Sequence, residues 1–146
     1  MNLIATTSVE EAKKRLKSTP RPHIVQAQSE QFNRTLVESG LVDILILSNT
    51  TSRKDTLRAI DFGISVVLLR IAAKKRCAIG IDLEVLRALT PERQARELMR
   101  IAELIRLART AHTTLALSGA GGIKEQKDFL QSLGASSQQA TQALTF

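Results

Sequence analysis

The chain has 146 residues, 43% hydrophobic and 24% charged, which suits one globular domain with a sizeable core and argues against disorder. Lys and Arg number 21 against 14 Asp and Glu, a formal charge of +7, so the expected partner is anionic: nucleic acid, a phosphorylated ligand or an acidic protein. One cysteine excludes an internal disulfide framework, no stretch reaches the roughly 18 apolar residues of a membrane helix, and the lack of Trp and Tyr argues against a binder that stacks single-stranded bases on aromatic platforms.

Taken in chain order, short β-branched runs alternate with stretches of helical period. Asn2–Thr6 reads as a strand, and Met1–Glu11 lacks the basic lead of a secretory signal. Ser8 to Glu11 forms a capping box for a helix to about Lys17, with Val9, Ala12 and Leu16 on one face. Pro20-Arg21-Pro22 forces an extended turn before a second strand, His23–Gln28. Ser29 caps a helix that turns Phe32 and Leu36 inward and stops at Gly40. Asp43–Ser48 is a third strand, apolar enough for a parallel strand covered on both faces.

A polar loop, Asn49–Asp55, leads to a helix over about Leu57 to Arg76. Its expected apolar stripe is Ile60, Ile64, Val67, Leu68, Ile71 and Ala72, and Lys74, Lys75 and Arg76 suit the negative end of its dipole. Cys77–Leu83 is the fourth strand. Thr90 and Pro91 open the longest helix, which runs to about Thr110. Thr113–Ser118 is the fifth strand, Gly119–Gly122 a loop, and two short helices split at Gly134 close the chain, the second opened by a capping box from Ser136 to Gln139. Five βα units in one α/β domain, 1–146, imply a parallel sheet with right-handed crossovers. That sheet is either open and doubly wound or part of a (βα) barrel, since eight strands in about 250 residues is the usual closed form. Five parallel strands leave two edges, so a partner or a second copy is expected to cover one.

In either architecture ligands bind at the C-terminal ends of the strands. The residues placed there are Gln28, Ser29, Ser48, Asn49, Asp82 and Ser118, with Asp82 the only carboxylate. His23 and His112 precede strands and fall at the opposite end, as turn residues. Acid–base and metal chemistry needs several converging groups, which this set does not offer. Ser118 to Gly122 reads either as a phosphate-binding nest or as a flexible turn. Arg53 and Lys54, in the loop after the third strand, are either phosphate ligands or simply solvated. On the long helix, Glu92 with Arg96, Glu97 with Arg100 and Glu103 with Arg106 have pairing distance along the helix, so much of that charge neutralises itself.

Three stretches carry a likeness. They are Val42–Ser48 followed by Arg53-Lys54-Asp55; Leu69–Leu83, a helix running into a strand through Lys74-Lys75-Arg76; and Leu117-Ser118-Gly119-Ala120 followed by Lys127-Asp128-Phe129-Leu130 and Leu133-Gly134. With the Arg-rich helix between the second and third, the set resembles protein component 3 of archaeal ribonuclease P, over about residues 3 to 144. The resemblance implies a TIM-barrel-like parallel (βα) fold without the metal site of the related phosphatase barrels. Because family members usually carry another βα unit before the segment matching Met1 and continue past Phe146, it implies an incomplete barrel of about five strands here.

It also implies a non-catalytic, cytoplasmic subunit of a tRNA-processing ribonucleoprotein that removes 5′ leaders from precursor tRNA. The chemistry would belong to the RNA and its Mg²⁺, with no cofactor in the protein. The implied partners are the ribonuclease P RNA, component 2 and the other protein subunits, and precursor tRNA indirectly. The expected RNA-binding residues are Arg53, Lys54, Lys74, Lys75, Arg76, Arg96, Arg100 and Lys124, with donors from Ser118 and Gly119. The competing reading is a small barrel-like phosphoester-binding protein or enzyme built on Asp82 and the Gly119–Gly122 loop.

Overall fold

The computed structural model describes residues 2–47 and 64–146. The chain runs β1 (Leu3–Ile4), α1 (Val9–Ser18), β2 (Ile24–Gln26), α2 (Glu30–Glu38), β3 (Ile44–Ile46), α3 (Val66–Lys75), β4 (Ala78–Asp82), α4 (Leu83–Arg87), α5 (Pro91–Ala111), β5 (Leu115–Ser118), α6 (Ile123–Ser132), α7 (Ser137–Gln142) and β6 (Leu144–Thr145). The expected loop 49–55, the last residue of the third strand, Ser48, and the early turns of the helix expected from Leu57, with Ile60, lie outside the described residues.

Local chemistry explains where the helices begin. The hydroxyls of Ser8, Ser29, Ser65 and Ser136 each accept a backbone N–H of the first turn, satisfying a donor that the helix cannot. At Ser136 the box is reciprocal, with Gln139 accepting from the Ser136 N–H at 3.1 Å. At Ser8 the return half is rerouted. The Ser8 N–H donates to the Thr6 hydroxyl at 3.2 Å, and that hydroxyl donates to the Glu11 carboxylate at 2.9 Å. Thr90 makes no side-chain cap, and Pro91 alone sets the entry to α5. At the other ends, α3 and α5 finish on left-handed residues that are not glycine, Arg76 (φ 56°) and His112 (φ 59°), each costing about 1 kcal/mol.

All six strands are parallel and pair in strict chain order, β1 to β6. This order decides between the two expected architectures, because a doubly wound sheet reverses order at a switch point and this one never does. Alternate residues segregate accordingly. Ile4, Val25, Leu45, Ile79, Ile81, Leu115 and Leu117 share one core with the helices. Ile24, Ile44, Ile46, Ala78 and Ala116 form a second cluster that, among the described residues, contains no helical residue and has Phe146 packed against it. The sheet therefore curls as a half-barrel with its helices outside. The third strand is covered on both faces, as expected: Leu45 is buried against the helices, and Ile44 and Ile46 are buried on the concave face, beside neighbouring strands and Phe146.

Three elements differ from expectation. Helix α3 begins at Val66, because the extended Ser65 caps it there, so Ile64 precedes the helix and does not lie on its stripe. Asp82 ends β4 and at once caps α4, so the apolar Leu83 belongs to a helix and not to the strand. The sheet also has a sixth strand, β6, where five were expected. Gln126, buried on α6, holds it: its amide donates to the Ala143 carbonyl at 3.1 Å and accepts from the Thr145 hydroxyl at 2.8 Å, while the Phe146 N–H bonds the Leu117 carbonyl at 3.1 Å. Gln126→Ala should cost about 1–3 kcal/mol, the usual penalty for stranding buried partners. Urea unfolding reads the total, and hydrogen exchange should show the Phe146 amide deprotected while the β4–β5 amides stay slow.

Candidate nucleic-acid interface

Parallel strands joined by helices give the molecule two chemically different ends. At the C-terminal ends of the strands, Asp82 is consumed locally. Its carboxylate accepts the Glu84 and Val85 N–H groups at 3.0 and 3.4 Å, so its role is to start α4. The Gln28 backbone is fixed by buried Asn33, whose amide oxygen accepts the Gln28 N–H at 2.7 Å and whose amide nitrogen donates to the Gln28 carbonyl at 3.3 Å. Ser118 pairs in register with Asp82 and has a buried hydroxyl without a hydrogen-bond partner. Gly119 (φ 72°) and Gly121 (φ 80°) need the left-handed backbone that glycine permits. Gly122 precedes α6 without any side-chain cap.

Two carboxylates crowd this loop. A Cβ on Gly119 would lie 2.9 Å from Glu84 Cγ, and one on Gly122 would lie 2.7 Å from Glu125 Oε2. The Arg87 guanidinium is already engaged with the Gly119 carbonyl at 2.7 Å. Ser48 and Asn49 lie outside the described residues, as do Arg53 and Lys54. Lys124 is exposed in the first turn of α6, beside Glu125. Among the described residues no group of three His, Cys, Asp or Glu side chains converges as a metal site.

At the strand-start end, His23 is buried, with Nδ1 2.7 Å from the Leu41 carbonyl and Nε2 2.9 Å from the Thr19 carbonyl. Asp43 accepts the His23 N–H at 2.6 Å and pairs with Arg21 at 2.8 Å. Both groups therefore shape the turn into β2. Cys77 lies beneath this end, and burial pushes its thiol up to about 12, the Leu45 backbone hydrogen bond offsetting part of the shift and Asp43 adding to it. Lys74, Lys75 and Arg76, the last residues of α3 and its left-handed cap, are all exposed here.

The long helix sorts its charges differently from a simple solvated face. Glu97 and Arg100 pair and sink into the protein, and Glu103 pairs with Arg106 at 2.6 Å. The hydrogen bond from Arg106 holds the Glu103 carboxyl below its ordinary range, so the pair stabilises the fold near neutral pH and loses that contribution as the solution becomes acidic. Glu92 and Arg96 form no ion pair, and Arg96 stays exposed on the outer face. The expected RNA-binding residues thus fall in three places: Lys74 to Arg76 at one end, Ser118, Gly119 and Lys124 at the other, and Arg96 and Arg100 on the side, with Arg100 turned inward.

No family model matches the sequence, and no curated protein matches it. The solved structures do contain this fold. One chain of a cryo-EM structure of archaeal ribonuclease P with mature tRNA is similar to 96% of this chain with a TM-score of 0.78 at 23% identity. The present chain spans 62% of the length of that chain. At this identity the likeness establishes the curled (βα) architecture.

Proposed function

We propose that the chain is a protein subunit of a ribonuclease P, a relative of component 3, that binds the RNA through phosphate contacts and leaves the cleavage of precursor tRNA to that RNA. The observation that carries this reading is the fold likeness over nearly the whole chain to a protein of an archaeal ribonuclease P particle. The three sequence stretches and the surplus of seven positive charges support it independently. The use of Asp82 Oδ1 as the cap of α4 gives that residue a structural role and favours this reading over the competing enzyme reading. The bare edges of β1 and β6, each with one strand neighbour among the described residues, suit a protein partner such as component 2 or a second copy.

Co-expression with an archaeal ribonuclease P RNA and component 2, followed by purification of the tagged chain, tests the reading. The RNA should co-purify, and the protein alone with precursor tRNA and Mg²⁺ should release no leader. Capture of component 2 without RNA would replace RNA contact by a purely protein-bridging role. Leader release by the protein alone, abolished by Asp82→Asn, would restore the enzyme reading.

A further inference from the structure

The sequence places Lys17, Arg21, Lys74 to Arg76 and Arg109 far apart, yet the topology brings them to one end. Helices between parallel strands run antiparallel to them, so the C-termini of α1, α2, α3 and α5 meet the starts of the strands that follow. Lys17 closes α1, Arg21 precedes β2, Lys74, Lys75 and Arg76 close α3, and Arg109 lies in the last turn of α5. Helix α3 packs against both α2 and α5, and the Thr113 hydroxyl ties the end of α5 to the Leu69 carbonyl of α3 at 2.8 Å. The acids near this end are already engaged, Asp43 by Arg21 and Glu38 by Arg34.

The described residues of the opposite end have the reverse balance. Among the described residues it holds Glu10, Glu11, Glu30, Asp82, Glu84, Glu92 and Glu125 against Arg87, Arg93 and Lys124. Complementing helix dipoles accounts for one cation per helix end. It does not account for three in succession at α3, none of which makes an ion pair among the described residues.

Two clefts open at this cationic end. One, of about 310 Å³, is walled by polar groups that hydrogen-bond well to phosphate and sugar: Arg109, His112, Thr114, Ser136, Gln138 and Gln142. The other, of about 650 Å³, has Arg21, Asp43 and Arg76 as the charged residues of its lining. Each is lined by one left-handed, non-glycine residue, His112 in the first and Arg76 in the second, positions of stored strain that commonly mark function.

We infer that the strand-start end, centred on Lys74, Lys75, Arg76 and Arg109, is the surface laid on the RNA backbone. This rests on the RNA-binding reading above and assigns it a face. Each phosphate contact releases condensed counterions, so removing a contact flattens the dependence of log affinity on log salt by about 0.7–0.9 units.

The test compares two triple variants of equal charge loss, using a transcript of archaeal ribonuclease P RNA as the probe. Lys74→Gln, Lys75→Gln and Arg109→Gln remove cations at the strand-start end. Lys14→Gln, Arg93→Gln and Lys127→Gln remove them elsewhere. All six side chains are at least partly exposed, and thermal unfolding confirms that both variants remain folded. The first triple should flatten the slope by about two units, and the second should leave it near that of the parent chain. A parent chain that binds, with the first triple retaining its slope or the second losing more, overturns the face assignment alone. A parent chain without salt-dependent RNA binding overturns both the face and the function.

Discussion

Replacing Leu45 by alanine should lower the free energy of unfolding by about 2–5 kcal/mol, the range for truncating a fully buried leucine. Leu45 is 0% exposed at the centre of β3, in register with Val25 and Ile79 and facing the helices. Its neighbour Ile46 provides the internal comparison. Ile46 is also buried, but on the concave face, where its cluster among the described residues is four small or β-branched strand residues and Phe146. That thinner layer can collapse around a deletion, so Ile46→Ala should cost less than Leu45→Ala in the same urea titration. Equal losses would mean that the two faces are equally well packed and that the half-barrel description is wrong.

Gly80→Val should destabilise the protein by about 1–3 kcal/mol, as overpacking does in a filled site. The reason is contact and not backbone freedom. A Cβ at Gly80 would sit 2.8 Å from Ile44 Cγ2 and 3.2 Å from both Ile46 Cγ1 and Phe146 Cε1. Two of these atoms belong to stiff β-branched side chains on the adjacent strand, which cannot swing aside. The Phe146 ring can move, so the predicted local sign of strain is its displacement from the concave face. Loss of the ring's fixed environment by NMR, with β6 pairing weakened, would show it. A variant as stable as the parent, with Phe146 unmoved, would mean that the concave face is looser than described.

Much of the fold was legible because its patterns are local. Serine caps announced α1, α2 and α7, and the apolar runs of Ile44–Ile46 and Leu115–Ser118 announced their strands. The failures have physical causes. In α3 nearly every early residue is apolar, so periodicity could not choose a face. Leu69 is buried outside the expected stripe, while Val67, placed within it, is 53% exposed. Strand β6 is two residues long and depends on Gln126, a tertiary contact 17 residues away from Ala143 that no local pattern announces. Helix α4 was hidden because Leu83 resumes the apolar run of β4 directly after Asp82, and only the turn of the chain reveals the aspartate as a cap.

The candidate site was less legible than the fold. Spacing correctly paired Glu97 with Arg100 and Glu103 with Arg106, since helix geometry alone brings them together. It could not show that the first pair turns inward and takes Arg100 toward the core, because that depends on which face of α5 meets α3. Nor could it gather Lys17, Arg21, Lys74 and Arg109, which share no local pattern and meet only through the strict β1-to-β6 order. General rules for (βα) proteins directed attention to the C-terminal ends of the strands, where the described residues are mostly acidic.

The most direct test of RNA binding through phosphates is the affinity of the unmodified chain for archaeal ribonuclease P RNA across a salt series. If the six cations Lys17, Arg21, Lys74, Lys75, Arg76 and Arg109 reach phosphates, affinity should fall by about 10³ between about 50 and 200 mM monovalent salt. An affinity that stays flat over that range, or no measurable binding at its low end, would contradict the account.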